Sequence, residues 1–366
     1  MQAVLYAPTS TKPGGNGQLP LRQLLRETVD HLAIRRALRA SRLAERDLAL
    51  NIRLPFCANA CFFCNRCRII AKDRSKASDY LHLLGTEIAT IGRHLDQRQQ
   101  VRQLHLGGGT PTFFGHQALT QLMNKLHRHF NLSAMPDIDA SVAIDPREVD
   151  WATLDLLRGL GFNRLNIMQP SLDPRVQTAV NRLQGDQQFA ECLAAARTLR
   201  FHSIGIELMA GLPEQSLDSF CQTLDSIVGW RPERIRLTCY RHQPEHYPPQ
   251  RRINRASLPS PQETAAAKQH CQQYLLATGY QRLQHDLFVL PQDPLAIAAE
   301  DSTPLRHTAC GLSGHPDCDE IGVGLGAISD VNGLAWQNST QLACWQQRAA
   351  RAQFTAQYQW PAPAAP

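Results

Sequence analysis

The sequence predicts an α/β fold built on a parallel sheet, open or curled toward a barrel, on three observations. Six short β-type runs alternate with segments of helical spacing from residue 48 onward, the pattern of parallel strands joined by right-handed crossovers. The 366-residue chain is 43% hydrophobic and 19% charged, a globular balance that excludes disordered and fibrous classes. A cysteine cluster and a glycine triplet follow the first two β-type runs, at the carboxyl ends where such sheets build their sites.

Residues 1–20, with Gly14, Gly15, Gly17 and three prolines, read as a loose arm. Residues 21–46 read as a helix bearing Arg35, Arg36, Arg39, Arg42 and Arg46, expected as a solvated face. The β-type runs lie at 48–54, 101–106, 138–144, 164–168, 203–209 and 234–239. Leu81, Leu84, Ile88, Ile91 and Leu95 step by three and four, one stripe of an amphipathic helix. Segments 116–130, 149–159, 173–200 and 216–229 also read as helical. Beyond 240 the pattern loosens into a loop, a helix over 261–278, a late strand within 280–290, a Gly-rich apolar turn over 321–329 and a tail. The expected organisation is an arm and helix over 1–47, a main domain over 48–285 and an extension over 286–366.

Basic residues number 38 against 32 acidic, a net charge of +6, and only Lys12, Lys72, Lys76, Lys125 and Lys268 are lysines. Guanidinium groups suit carboxylate and phosphate partners, but so small and dispersed a charge argues against nucleic acid. No stretch approaches the ~18 apolar residues that span a bilayer, and the first 20 residues lack a secretory pattern. A cytoplasmic protein without a membrane span is expected. In a reducing compartment the eleven cysteines are expected as metal ligands, nucleophiles or packing residues.

The sharpest motif is Cys57-Ala-Asn-Ala-Cys61-Phe-Phe-Cys64, directly after the first β-type run. Three thiolates from one short loop select a soft centre, an iron–sulfur cluster or zinc. Zinc motifs come as two separated pairs, and no clear second pair is present. Three ligands on a four-iron cluster leave one iron open to a small molecule. The second run ends in Gly107-Gly108-Gly109-Thr110-Pro111.

These motifs resemble the radical S-adenosylmethionine (SAM) superfamily, whose signature is Cys-x3-Cys-x2-Cys after the first strand of a partial (β/α)6 TIM-type barrel, here expected over 48–285. The glycine triplet looks like that superfamily's SAM motif: glycines let the backbone approach closely, and exposed N–H groups bind a carboxylate. A side chain at Gly109 is therefore expected to fill the space of the methionyl carboxylate. Leu54-Pro-Phe-Cys57, Leu104-His-Leu-Gly-Gly-Gly-Thr-Pro-Thr112, Asp145-Pro-Arg-Glu148, Gly161-Phe-Asn-Arg-Leu165, Val180-Asn-Arg182, Gly211-Leu-Pro213 and Leu258-Pro-Ser-Pro261 are similar to the oxygen-independent coproporphyrinogen III oxidase family. The resemblance runs from about 48 to 329. It implies oxidative decarboxylation of coproporphyrinogen III to protoporphyrinogen IX in haem biosynthesis: a 5′-deoxyadenosyl radical takes a hydrogen from a propionate β-carbon, and loss of CO2 and an electron leaves a vinyl group. It also implies a [4Fe-4S] cluster on Cys57, Cys61 and Cys64. Phe63, Gly108, Gly109 and Thr110 would surround SAM, with Arg182, Glu207 and Ile328 around one or two SAM molecules. The implied partners are a tetrapyrrole substrate and an electron donor such as flavodoxin or ferredoxin.

Five departures fall beside the ligands. Asn51 and Arg53 replace the family's Tyr and His, Ala143 its Glu and Pro170 its Gln, while Glu207 replaces an Asp. The family's N-terminal Tyr-rich segment and C-terminal helical domain are not expected here. Two further readings follow: a paralogue using the cluster on another substrate, by radical methylation or haem breakdown, and a haem-binding chaperone without catalysis. The chaperone predicts stoichiometric haem binding and little turnover. Cys67 reads as a bystander, because a SAM-binding cluster needs its open iron. His307, Cys310, His315 and Cys318 have metal-like spacing but read as a polar loop. Cys192, Cys221, Cys271 and Cys344 read as packing residues, and Arg241 and His242 as possible ligand contacts at the sixth strand's end.

Overall fold

The computed structural model describes residues 29–132, 138–309 and 311–360. They fall into two compact units: the described residues within 1–57, 66–140 and 305–366 make one, and 58–65 with 141–304 the other. Expectations for the arm, the first part of the leading helix, Cys310 and the tail lie outside the described residues. Among the described residues no helix is long and apolar enough to cross a membrane.

In the first unit, Leu48–Leu54 lies between Gln100–Gly108 and Asp319–Val323, parallel to both. Leu48, Ala49, Leu50, Ile52 and Leu54 are at most 1% exposed, the continuous apolar run of a strand covered on both faces. The sheet continues antiparallel through Ile328–Val331, Leu334–Asn338 and Ala356–Gln359. The helix expected from the leucine stripe spans Ser75–Gly92 and buries Ala77, Tyr80, Leu84, Ile88 and Ile91. Leu81 is half-buried because Tyr80 beside it takes the inward position, and Leu95, also half-buried, lies past the end of the helix.

The second unit carries four parallel strands: Asp139–Ile144 from Ser141, then Arg164–Met168, Ser203–Ala210 and Arg234–Cys239. Leu287–Val289 and Gln281–Arg282 extend them antiparallel, so the late strand is a short hairpin. The segment 173–200 is two helices rather than one, Pro174–Ala179 and Asp186–Thr198. The break is local: Asn181 takes φ 52°, a left-handed conformation that ends an α-helix.

The expected glycine-rich turn over 321–329 is in fact the end of Asp319–Val323, a reversal, and the start of Ile328–Val331. Gly324 and Gly326 turn the chain at φ 102° and 66°. A Cβ on Gly322 would lie 2.1 Å from the Ile328 carbonyl oxygen, so glycine marks close backbone approach within a strand. Of the extension expected over 286–366, the described residues from 305 on belong with the first strand's unit, and 286–304 with the second.

Candidate active site

In the first unit, the strand Gln100–Gly108 delivers the glycine triplet to the segment preceding Cys57. Gly109 N–H donates to the Leu54 carbonyl and Thr110 N–H to the Phe56 carbonyl, both at 2.8 Å. Gly108 sits at φ 98°, where an L side chain is strained. A Cβ on Gly109 would stand 2.4 Å from the Phe56 oxygen and 2.7 Å from the Leu54 oxygen. This corrects the reason expected for that glycine: the space it leaves is filled by the chain's own backbone, and its N–H is already bonded. Thr110 is buried, and its hydroxyl lies 3.6 Å from Cys57 Sγ. The Phe56 ring beneath is boxed by Tyr80, Phe113 and Phe114 at 5.4–5.9 Å between centroids.

Tyr80 donates to the Arg53 carbonyl at 2.7 Å and accepts from Leu325 N–H at 3.0 Å. Two helical turns on, Glu87 is 2% exposed. It accepts from Gly324 N–H, Asn338 Nδ2 and Trp345 Nε1 at 2.8–3.0 Å and from the Thr355 hydroxyl at 2.5 Å. Burial pushes its carboxyl up to about 7 although these donors oppose the shift.

In the second unit, the rest of the cysteine loop is held by both packing and charge. Cys61 and Phe63 are buried with Val176, Val180 and Leu212, against Cys64, Met168, Met209 and Tyr240. Phe62 N–H donates to the Val180 carbonyl at 2.9 Å, Asn181 Nδ2 to the Ala60 carbonyl at 2.8 Å, and Gln250 Nε2 to the Phe63 carbonyl at 3.3 Å. Arg182, 5% exposed, places Nη1 3.5 Å from Cys61 Sγ and 3.0 Å from Asp145 Oδ2, and Nη2 2.7 Å from the Met168 carbonyl. Arg147 places Nη2 3.7 Å from the same sulfur and 2.7 Å from Asp145 Oδ2, with Nε 2.9 Å from Oδ1. Burial would raise Asp145, but the Arg182 charge and the Arg147 hydrogen bonds outweigh it and hold this carboxyl below its ordinary value.

The other expected site residues are placed as follows. Glu207 lies opposite Met168 in the sheet, and its carbonyl accepts from Gln169 N–H at 3.0 Å. Ile328 is buried in a cluster with Ala335 and Trp360. Asn51 is buried between His105 and Gly322 on the neighbouring strands, with Arg53 opposite Gly107. Ala143 lies opposite Asn166. Pro170 lines a small nook with Gln169, Ser171, Gln177, Val180, Arg182 and Gln184. Cys67 Sγ lies 3.7 Å from the Thr340 carbonyl. Cys192 and Cys271 are buried, and burial pushes their thiols up to about 12; Cys221 and Cys344 are half-buried. Arg241 is exposed, and His242 Nδ1 meets the Tyr240 hydroxyl at 2.9 Å. His307 pairs across a short hairpin with Leu312, and Cys318 is buried.

Among the described residues no three His, Cys, Asp or Glu side chains are gathered as a metal site. The donor chemistry nonetheless fits a thiolate-bound cluster, because N–H donors face Cys61 Sγ and a hydroxyl faces Cys57 Sγ, as anionic sulfur requires. Asp145 and Arg147 stand in the sequence within the Asp145-Pro-Arg-Glu148 motif, which by itself assigns them no role. Their only signal was an acidic and a basic residue at a strand's carboxyl end.

The radical SAM superfamily model matches residues 51–227. The chain is 44% identical to oxygen-independent coproporphyrinogen III oxidase of Pseudomonas aeruginosa over 310 residues, 85% of this chain and 67% of that protein. To the Escherichia coli protein of the same name it is 36% identical over 313 residues, 84% of this chain and 66% of that one. The chain thus spans about two thirds of the length of these relatives. The solved structure of Escherichia coli coproporphyrinogen III oxidase, a radical SAM enzyme, matches with a TM-score of 0.89 at 33% identity, covering 94% of this chain and 78% of that one.

Proposed function

Because the chain belongs to the oxygen-independent coproporphyrinogen III oxidase family of radical SAM enzymes, we propose that it converts coproporphyrinogen III to protoporphyrinogen IX by oxidative decarboxylation. The observation that carries this reading is the Cys57–Cys64 loop with the glycine turn bonded to the segment before it. Family membership brings a [4Fe-4S] cluster and SAM. Bound together, they supply the radical that takes hydrogen from each reacting propionate before CO2 leaves. Cys57, Cys61 and Cys64 would hold the cluster.

The chain's own residues prepare that site. Phe63, seated in an apolar core beside Cys61, keeps water from one side of the loop. Arg182 and Glu207, from a loop and a strand of the second unit, are the groups we assign to polar atoms of SAM. Gly109 acts through the backbone it lets pass rather than through its own N–H. A cytoplasmic location, a second SAM molecule and a ferredoxin- or flavodoxin-type electron donor belong to the same proposal.

A second reading has its own observation. The family resemblance implies Tyr, His, Glu and Gln at the positions where this chain has Asn51, Arg53, Ala143 and Pro170. A charge-assisted hydrogen bond left unmade forfeits roughly 1.5–3 kcal/mol, so two or three such losses lower the rate on the order of a thousandfold or more. That favours a paralogue acting on another substrate. Anaerobic reconstitution with SAM, a reductant and coproporphyrinogen III, followed by mass spectrometry, separates the two. Vinyl products in step with 5′-deoxyadenosine support the first reading. 5′-Deoxyadenosine without decarboxylation supports the second, and its absence overturns both.

A further inference from the structure

We propose that Arg147 is a positioning residue for the cluster. Its guanidinium donates to Cys61 Sγ and, together with Asp145 and Arg182, makes the bound cluster easier to reduce. The inference rests on the reading above that Cys61 is a cluster ligand.

Three observations support it. Arg147 has a two-point grip on Asp145, through Nε to Oδ1 at 2.9 Å and Nη2 to Oδ2 at 2.7 Å, which aims Nη2 at Cys61 Sγ 3.7 Å away. Such a fork fixes direction as well as distance. Arg182 shares Asp145 Oδ2 and reaches the same sulfur, so one carboxylate orients two donors. The three side chains are only 15%, 8% and 6% exposed for Arg147, Asp145 and Arg182, and solvent screens them little.

The charges then decide the sign. Two guanidinium groups and one carboxylate leave one net positive charge beside the sulfur. Reduction adds one electron, delivered by an external low-potential donor, and makes the cluster more negative. Hydrogen bonds to sulfur and nearby positive charge therefore favour the reduced form. Arg182 is bonded to the Met168 carbonyl as well, whereas among the described residues Nε and Nη2 of Arg147 serve only Asp145 and Cys61. Arg147 is thus the residue whose change addresses the sulfur most directly.

The test reconstitutes the full chain with iron and sulfide under anaerobic conditions. Iron is counted, and the cluster is titrated with dithionite while electron paramagnetic resonance is recorded. Arg147→Ala should keep its iron yet show about a tenfold lower ratio of reduced to oxidised cluster at a fixed potential, a shift of about 59 mV to the negative for one electron. Arg147→Lys, which keeps the charge without the fork, should shift in the same direction by less. An Arg147→Ala chain that melts like the parent but loads little iron also supports the positioning role. An unchanged potential at full iron overturns the proposal. If Arg147→Ala does not fold, Arg147→Lys decides: an unchanged potential there overturns it equally. A parent chain that binds no cluster, or keeps it in Cys61→Ser, overturns the underlying assignment instead, an outcome read from iron content alone.

Discussion

Two buried carboxylates, one in each unit, are held in opposite ways. Glu87 is surrounded by neutral donors: a backbone N–H, an amide, an indole and a hydroxyl. Asp145 is surrounded by two guanidinium groups. Burial raises both, but only Asp145 has cations to reverse the effect, so one settles near 7 and the other below its ordinary value. Neutral donors can position a carboxyl group without fixing its charge. Full charges fix it, and they do so beside Cys61, the cysteine proposed above as a cluster ligand. The glycine turn and the cysteine loop repeat the contrast: backbone fit governs the first, paired charge and an apolar plug the second.

The largest effect should come from breaking the charged arrangement. Asp145→Ala leaves Arg147 and Arg182 buried without their shared anion, and removing one partner of a buried pair costs about 3–5 kcal/mol. Denaturant unfolding of the metal-free chain should show that loss. A change below about 1 kcal/mol would mean that the guanidinium groups reach water readily, and the contrast with Glu87 would fail. The Asp145 contribution is present above the ordinary carboxyl range and is lost as pH falls through its lowered value.

Glu87 should behave with the opposite sign. Its folded value of about 7 lies above the ordinary 4.5, so the folded chain holds this proton more tightly. Its contribution is complete below pH 4.5 and is lost as pH rises through 7. The shift corresponds to roughly 3 kcal/mol. Between pH 4.5 and pH 8 the parent should lose about that much stability relative to Glu87→Gln, whose side chain does not titrate. Parallel pH profiles for the two chains would show that the four donors keep Glu87 ionised throughout. Glu320, also raised to about 7 by burial, is common to both chains and cancels.

Much of this was legible in the sequence, and what was missed has a physical pattern. Periodicity located the strands Leu48–Leu54, Arg164–Met168 and Arg234–Cys239 to the residue, and spacing singled out Cys57, Cys61 and Cys64. Both are local signals. The clamp on Cys61 joins Arg182 to Asp145 across 37 positions, and Glu87 binds Gly324 and Thr355 across 237 and 268. No spacing rule spans such distances. Glycine misled in two directions: Gly322 suggested a turn and lies in a strand, while Gly109 suggested a ligand cradle and admits the backbone of Leu54 and Phe56. One-letter sequence records that a Cβ is missing, not which atom takes its place.

Gly109→Val follows from that correction. Its added carbons meet backbone oxygens rather than a flexible side chain, and overpacking of a close contact costs typically 1–3 kcal/mol. Lower thermal stability and lower iron loading should appear together, since the displaced segment leads directly into Cys57. A variant with the parent's melting temperature and iron content that merely fails to cleave SAM would restore the cradle reading and remove the steric half of the contrast.

The smallest expected effect lies at the rim of the cysteine loop. Arg252 sets its guanidinium carbon 5.4 Å above the Phe62 ring, and its side chain is exposed. A cation over an aromatic face contributes about 0.5–1 kcal/mol at an exposed site, well below the buried clamp at Asp145. Phe62 is also fixed by its N–H bond to the Val180 carbonyl, so the loop keeps its path when the cation is removed. Arg252→Ala should therefore lower stability by at most about 1 kcal/mol and leave iron loading unchanged. Arg252→Lys, which retains the cation, should recover part of that loss. Iron loss in Arg252→Ala would place part of the loop's support at its exposed rim. The charge that holds the cysteine loop would then not be confined to the buried Asp145 arrangement, and the comparison would have to be redrawn around both.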